Sequence, residues 1–181
     1  MTLEQIYYQK CNSPSDINEH LPTLKRYADE CEHITEMGVR WVVSTYAFLM
    51  SKPKKLVSID IDPLEKYGNS QHQITSLAPD TEFEFVLGDT LKIDIEPTDF
   101  LFLDTWHVYD QVKGELARHA SKVSKYIGFH DTTTFEERGE TSGHEGIWPA
   151  IQEFLDDHPE WVIKERYTNN NGLTILEKVG L

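Results

Sequence analysis

Two short stretches of this sequence place acids and imidazoles where they could do chemistry together. Asp104 and His107 stand three residues apart, directly after the unbroken apolar run Phe100-Leu101-Phe102-Leu103. His130-Asp131 follows a second apolar stretch that ends at Phe129. Carboxylates delivered together by two strand ends can share a Mg²⁺ ion, which takes few protein oxygens and completes its shell with water or substrate. A hydroxyl held on such an ion loses its proton more readily, and a neutral imidazole nearby can take that proton. His107, at the start of a helix, has the position for this role. A capping or surface role competes for His107, and a packed, hydrogen-bonded role near a strand end competes for His130.

Three further acids share the same kind of position. Glu36, Asp60 and Asp89 each close an apolar run, so with Asp104 and Asp131 the chain offers five acids at strand ends. Acids favour turns and helix caps in any case, which weakens each one taken alone. Five along one edge describe an acidic cleft suited to hydroxyls, amines, a sulfonium or a metal ion. Asp60, after the second strand, is placed to accept hydrogen bonds from ribose hydroxyls. Gly38 allows backbone to approach a ligand closely, and Ser44 at a helix start can offer hydroxyl and amide to a carboxylate.

The elements that must position these residues follow from periodicity. Strands are predicted over 33–37, 56–60, 83–87, 100–103 and 126–129, the fourth reading as buried on both faces. Helical spacing marks 21–31, with Pro22 in its first turn, then 44–50, a weak helix within 61–82, a helix marked by Val108, Val112, Leu116 and Val123, and one over 147–155. Strands over 161–167 and 173–177 flank Asn169-Asn170-Asn171-Gly172, a composition that tolerates positive φ and predicts an antiparallel hairpin. Such alternation gives a doubly wound, mostly parallel, seven-stranded Rossmann-like α/β sheet, with the hairpin as its antiparallel edge. A single domain over 1–181 is expected, with a helical segment at 1–32 and the core at 33–181.

Composition narrows the partners. The chain has 181 residues, with 17 Lys+Arg against 31 Asp+Glu and a formal net charge of −14. That balance disfavours nucleic acid and anionic membrane, which would not be attracted at long range. Two cysteines, Cys11 and Cys31, are too few for a disulfide scaffold, and no leader-like or membrane-spanning stretch is visible. The expectation is a cytoplasmic protein acting on a small molecule. Trp41, Trp148 and Trp161 read as core or subunit contacts, and in the charged stretch 135–140 only Phe135 is expected to pack.

From about Ile34 onward the chain resembles the class I S-adenosylmethionine-dependent methyltransferases, specifically the small metal-dependent O-methyltransferases of macrocin and catechol type. The family's first motif, an acid, a glycine, and a serine eight residues after the acid, falls on Glu36, Gly38 and Ser44. The resemblance implies that these residues surround the methionine part of the cofactor. It further implies Asp60 as the ribose acid and Gly88-Asp89-Thr90 on the adenine side. The Asp-x-x-His motif falls on Asp104 and His107, implying a metal ligand beside the cofactor and a general base. Asp131 is implied as a second ligand of a divalent metal, with His130 as a further candidate.

The family's second loop glycine is replaced here by Val42-Val43, whose side chains are expected to narrow the methionine end of the pocket. Material for a lid is short, with Tyr7, Tyr8 and the loop 132–146 as candidates. This leaves open a homo-oligomer in which a neighbouring subunit completes the pocket. The implied activity is methyl transfer to a hydroxyl of a small molecule or sugar. Two other readings stand beside it: a non-catalytic cofactor-binding or accessory protein of the same fold, and an oxygen-dependent hydroxylase related to cephalosporin hydroxylase, with iron near His107, His130 and Asp131.

Overall fold

The computed structural model describes residues 1–180. Seven strands form one sheet: β1 (His33–Met37), β2 (Lys55–Asp60), β3 (Glu82–Leu87), β4 (Thr98–Leu103), β5 (Val123–His130), β6 (Trp161–Tyr167) and β7 (Leu173–Lys178). Their order is β3-β2-β1-β4-β5-β7-β6. β1 to β5 are parallel, and β7 runs antiparallel between β5 and β6. The closing hairpin therefore slots its second strand against β5 and leaves β6 at the edge.

Alternation along the strands divides the core in two. Phe100 and Phe102 of β4 pack with Ile34, Leu56 and Tyr126 on one face, against α2 (Leu21–Ala28) and α3 (Val43–Met50). Leu101 and Leu103 pack with Met37, Ile59, Ile127 and Phe129 on the other, against α5 (Tyr109–His119) and α6 (Trp148–Asp157). The shorter α4 (Gln71–Leu77) adds Ile74 to the first face. Pro22 sits in the first turn of α2, where its missing N–H costs nothing.

The structure departs from the periodicity reading in two places. An additional helix, α1 (Leu3–Asn12), opens the chain; it starts with a reciprocal Thr2–Gln5 capping box and buries only Tyr7. Val123, which the apolar spacing assigns to a helix, instead begins β5, because the helix ends at His119 and a short 3-10 turn covers Ala120–Lys122. Among the described residues no helix is long and apolar enough to cross a membrane.

Candidate functional site

The strand order reverses between β1 and β4, and open α/β sheets bind ligands beyond the strand ends at that point. The two strands stay paired to their ends, and the Asp104 N–H donates to the Met37 carbonyl at 2.8 Å. The chain then turns through Gly38 at φ 85°, Arg40 at φ 40° and Val42 at φ 58°. This winding brings the Val39 and Arg40 N–H groups onto Asp60, whose Oδ2 accepts them at 2.7 and 3.0 Å. Asp60 Oδ1 accepts the Asp62 N–H at 2.9 Å. The carboxylate at the end of β2 thus fixes the loop after β1, while keeping unused lone pairs at the cavity it lines.

A cavity of about 690 Å³ lies over this switch point. Gly38, Ser44, Asp60, Gly88, Asp89, Thr90, Asp104 and His107 all line it. Glu36, His130 and Asp131 do not. Glu36 points to the α3 face of the sheet, fully buried, and accepts from the hydroxyls of Ser44, Thr45 and Ser58. Burial, opposed by those three donors, pushes its pKa up to about 7. Its service is to hold the start of α3 against β1 and β2. The Ser44 hydroxyl is committed to Glu36, which leaves the Ser44 backbone as what that residue offers a ligand.

Val42 does not narrow the cavity, contrary to the expectation from sequence. Its side chain is wholly buried in the core beneath α3, and only Val43 of the pair lines the cavity. The departure from glycine appears as backbone strain, because a β-branched residue sits in the left-handed region. Trp41 is likewise not a core residue: it lies at the mouth, 56% exposed, with its ring 4.8 Å from that of Tyr67.

Against the cavity wall stands a buried polar network that the sequence reading did not single out. Glu115 of α5, fully buried, accepts from Thr90 Oγ1 at 2.6 Å, Gln111 Nε2 at 2.8 Å and Thr105 Oγ1 at 2.9 Å. Burial outweighs these donors and raises its pKa. A signal was present: the buried residues of α5 are Val112, Glu115, Leu116 and His119, so two polar residues interrupt an apolar helical stripe.

The acids and imidazoles at the ends of β4 and β5 converge. His107 Nε2 lies 3.2 Å from Asp104 Oδ1 and 3.1 Å from Asp131 Oδ2. Its Nδ1 faces Glu140 Oε2 at 3.1 Å, and Phe135 stacks on its ring at a centroid distance of 5.0 Å. His130 Nδ1 lies against the same two carboxylates at 3.3 and 3.2 Å, with its Nε2 on the Asn170 carbonyl. Burial works against a charged His107, but Asp104, Asp131 and Glu140 outweigh it and raise its pKa. Burial likewise opposes a charged His130, yet Asp104 and Asp131 push it up to about 10. Burial would raise the Asp104 pKa; the two imidazoles instead hold it well below the usual carboxylate range.

The residues fit a divalent cation. One ligand atom each from Asp104, His107 and Asp131 fall within 4.8 Å of one another. Asp131 Oδ1 is buried without a hydrogen-bond partner on a backbone held at φ 59°, while Oδ2 of the same carboxylate faces both imidazoles. His130 Nδ1 stands against the same two carboxylate oxygens as His107 Nε2.

Further walls come from the N-terminal segment and from the loop 132–146. Asp16 and Ile17 of the N-terminal segment line the cavity, and Asp16 pairs with the Arg40 guanidinium at 2.5 Å. The loop 132–146 folds over His107: its Glu140 N–H donates to the His107 carbonyl at 3.0 Å, and Thr141 accepts from the Trp106 indole at 3.1 Å. Tyr7 is buried under α1 and Tyr8 lies outside the cavity lining, so of the three lid candidates only the loop covers the site.

No family model and no curated protein matches the chain. Solved structures do resemble it. A protein named as a caffeoyl-CoA O-methyltransferase from Staphylococcus aureus matches with a TM-score of 0.70 at 13% identity, covering 98% of this chain and 92% of that one. An O-methyltransferase from Bacillus cereus in complex with SAH matches at 0.66 and 15% identity, covering 97% and 90%. An SAH-bound methyltransferase from Podospora anserina matches at 0.64 and 13% identity, covering 98% and 88%. The chain has the Rossmann-like fold of these methyltransferases.

Proposed function

We propose that this protein is an S-adenosylmethionine-dependent O-methyltransferase that methylates a hydroxyl of a small molecule or sugar with the help of a divalent metal, Mg²⁺ by its ligand chemistry. The observation that carries this reading is the cavity at the β1/β4 switch point. A ribose-type acid and a glycine-turned loop line it, as do Asp104 and His107 of the Asp104–His107–Asp131 cluster. The fold shared with SAH-bound methyltransferases supports it.

When bound, the cofactor supplies an electrophilic methyl group on a sulfonium, and the metal supplies positive charge that acidifies a ligated hydroxyl. Asp104 and Asp131 would hold the metal. His107 Nε2 faces both carboxylates and is placed to take the acceptor's proton, while Glu140 at Nδ1 fixes the ring's orientation. The cofactor would supply the methyl carbon to the acceptor oxygen, with the carbon–sulfur electron pair left on sulfur. Holding oxygen, methyl and sulfur in line is the chief contribution of the cavity walls. Phe135 and the loop 132–146 cover His107 and keep water from it.

The test is transfer of label from methyl-tritiated cofactor to a panel of catechols, polyphenols and sugars with Mg²⁺. The expected result is labelled product, reduced roughly 100-fold or more in His107→Ala and abolished by chelation. Transfer that survives both changes contradicts this mechanism.

A further inference from the structure

Beside the switch-point cavity, and sharing Trp41 and Tyr67 with it, lies a second hollow of about 370 Å³ against α1. Tyr46 and Asn69 line it as well, and both continue into a further hollow of about 480 Å³ along α4. The walls come from α1, α3 and the segment between β2 and β3. The metal-type cluster, at the ends of β4 and β5, lies on the other side of β1 in the sheet order.

Charge sets this hollow apart. Acids outnumber bases 31 to 17 in the chain, and Asp60, Asp89 and Asp104 are among the residues that line the switch-point cavity. No Asp or Glu lines either of the two hollows next to it. Lys10, half-buried in the last turn of α1, lines the first of them and makes no ion pair among the described residues.

Tyr46 is the second sign of a ligand. The residue is packed in the core at 7% exposure, and both hollows touch it. Among the described residues its hydroxyl finds no hydrogen-bond partner, and burial alone raises its pKa. A phenol so placed is a donor open to whatever fills the hollow. The ring of Trp41, 56% exposed, meets that of Tyr67 edge-on at 4.8 Å and gives the same hollow an aromatic wall.

We infer that this hollow binds an aromatic carboxylate, with its ring against Trp41 and Tyr67 and its carboxylate taken by the Lys10 ammonium and the Tyr46 hydroxyl. A charged donor and a neutral one match a monoanion, and hydrogen bonds to a charged group are the stronger kind. The flat apolar body gains from ring contacts and from leaving water. This site is additional to the one proposed for methyl transfer and stands without that reading.

Calorimetric titration of 2-naphthoate and its neutral counterpart 2-naphthamide into wild type, Lys10→Met, Tyr46→Phe and Lys52→Met tests this. The wild type is expected to prefer the carboxylate by about 10-fold or more. Lys10→Met should bring that preference near 1, because the ring contacts remain and the charge is gone. Tyr46→Phe keeps the packed ring and should weaken naphthoate roughly 3- to 10-fold. Lys52 is an exposed lysine outside the hollow, so Lys52→Met should keep the wild-type preference. A wild type that binds no naphthoate, or binds both compounds equally, overturns the inference. So does a folded Lys10→Met that keeps the preference, or a Lys52→Met that loses as much of it as Lys10→Met. If Lys10→Met does not fold, unchanged naphthoate affinity in Tyr46→Phe overturns it instead.

Discussion

The carbonyl oxygen of Asp104 lies 2.0 Å from the point where a β-carbon on Gly38 would stand. The first turn of the cofactor-type loop and the backbone of the first metal-type acid thus occupy adjacent space, and only hydrogen fits between them. Gly38 is also at φ 85°, which a side chain disfavours. Gly38→Ala is therefore expected to cost about 2 kcal/mol or more of stability by urea unfolding, and to abolish binding of S-adenosylhomocysteine. Near-wild-type binding by this variant would show that the loop and the Asp104 turn are not coupled.

Val42 reverses the usual ranking of alanine and glycine. In ordinary positions glycine is the less stable of the two. At φ 58° the left-handed backbone costs any L-residue roughly 1–2 kcal/mol, whereas glycine escapes it. Both variants lose the buried valine side chain. Val42→Gly is accordingly expected to be more stable than Val42→Ala, by about 1 kcal/mol in denaturant melts. The opposite order would place Val42 outside the left-handed region.

Glu36 predicts a pH dependence of stability. Its pKa is raised from 4.5 to about 7 in the fold. As pH rises above the unfolded value, the unfolded chain releases this proton while the folded chain retains it, so stability falls until the folded group also ionises near 7. The Glu36-linked part of the stability is thus fully present below pH 4.5 and lost as pH rises through about 7. Glu36→Gln removes this component. The stability difference, wild type minus Glu36→Gln, should decline between pH 4.5 and 8 by on the order of 1–3 kcal/mol. A difference independent of pH would show that Glu36 ionises normally.

Asp131 should report cation binding without any turnover. Metal that binds the folded chain alone raises its melting temperature by mass action. Mn²⁺ added to chelator-treated protein is expected to raise the melting temperature by several degrees, since saturation at 100 times Kd adds about 2.7 kcal/mol. Asp131→Asn keeps a residue that tolerates positive φ but removes the charge, and the rise should largely disappear. An equal rise in both proteins would place the bound cation elsewhere.

Much of the scaffold was legible in the sequence, because apolar runs closed by acids mark parallel strands with little ambiguity. Asp60, Asp89 and Asp104 are placed by that rule, His107 by its spacing from Asp104, and all four reach the cavity. Glu36 obeys the same pattern and yet turns away. It shares a strand face with Ile34 and pairs in register with Ser58, so alternation directs it under α3. That parity is readable in the sequence. Asp16, Gln111, Glu115 and Glu140 were not legible as a group. They come from the N-terminal segment, one helix and the long loop, and only tertiary folding brings them to the same cavity. The strain at Val42 was invisible for another reason: sequence shows a missing glycine but not the φ that its replacement must adopt.

The central claim is that one cavity at the β1/β4 switch point takes both cofactor and metal. Crystals grown with S-adenosylhomocysteine and Mn²⁺ test it most directly, because anomalous scattering locates the ion independently of the ligand. The account predicts the nucleoside lying along the Gly38 loop, with its ribose at Asp60 and its base on the Gly88–Thr90 side, and an anomalous peak bonded to Asp104 and Asp131. A cavity without the nucleoside, or a metal peak away from those two carboxylates, would contradict it.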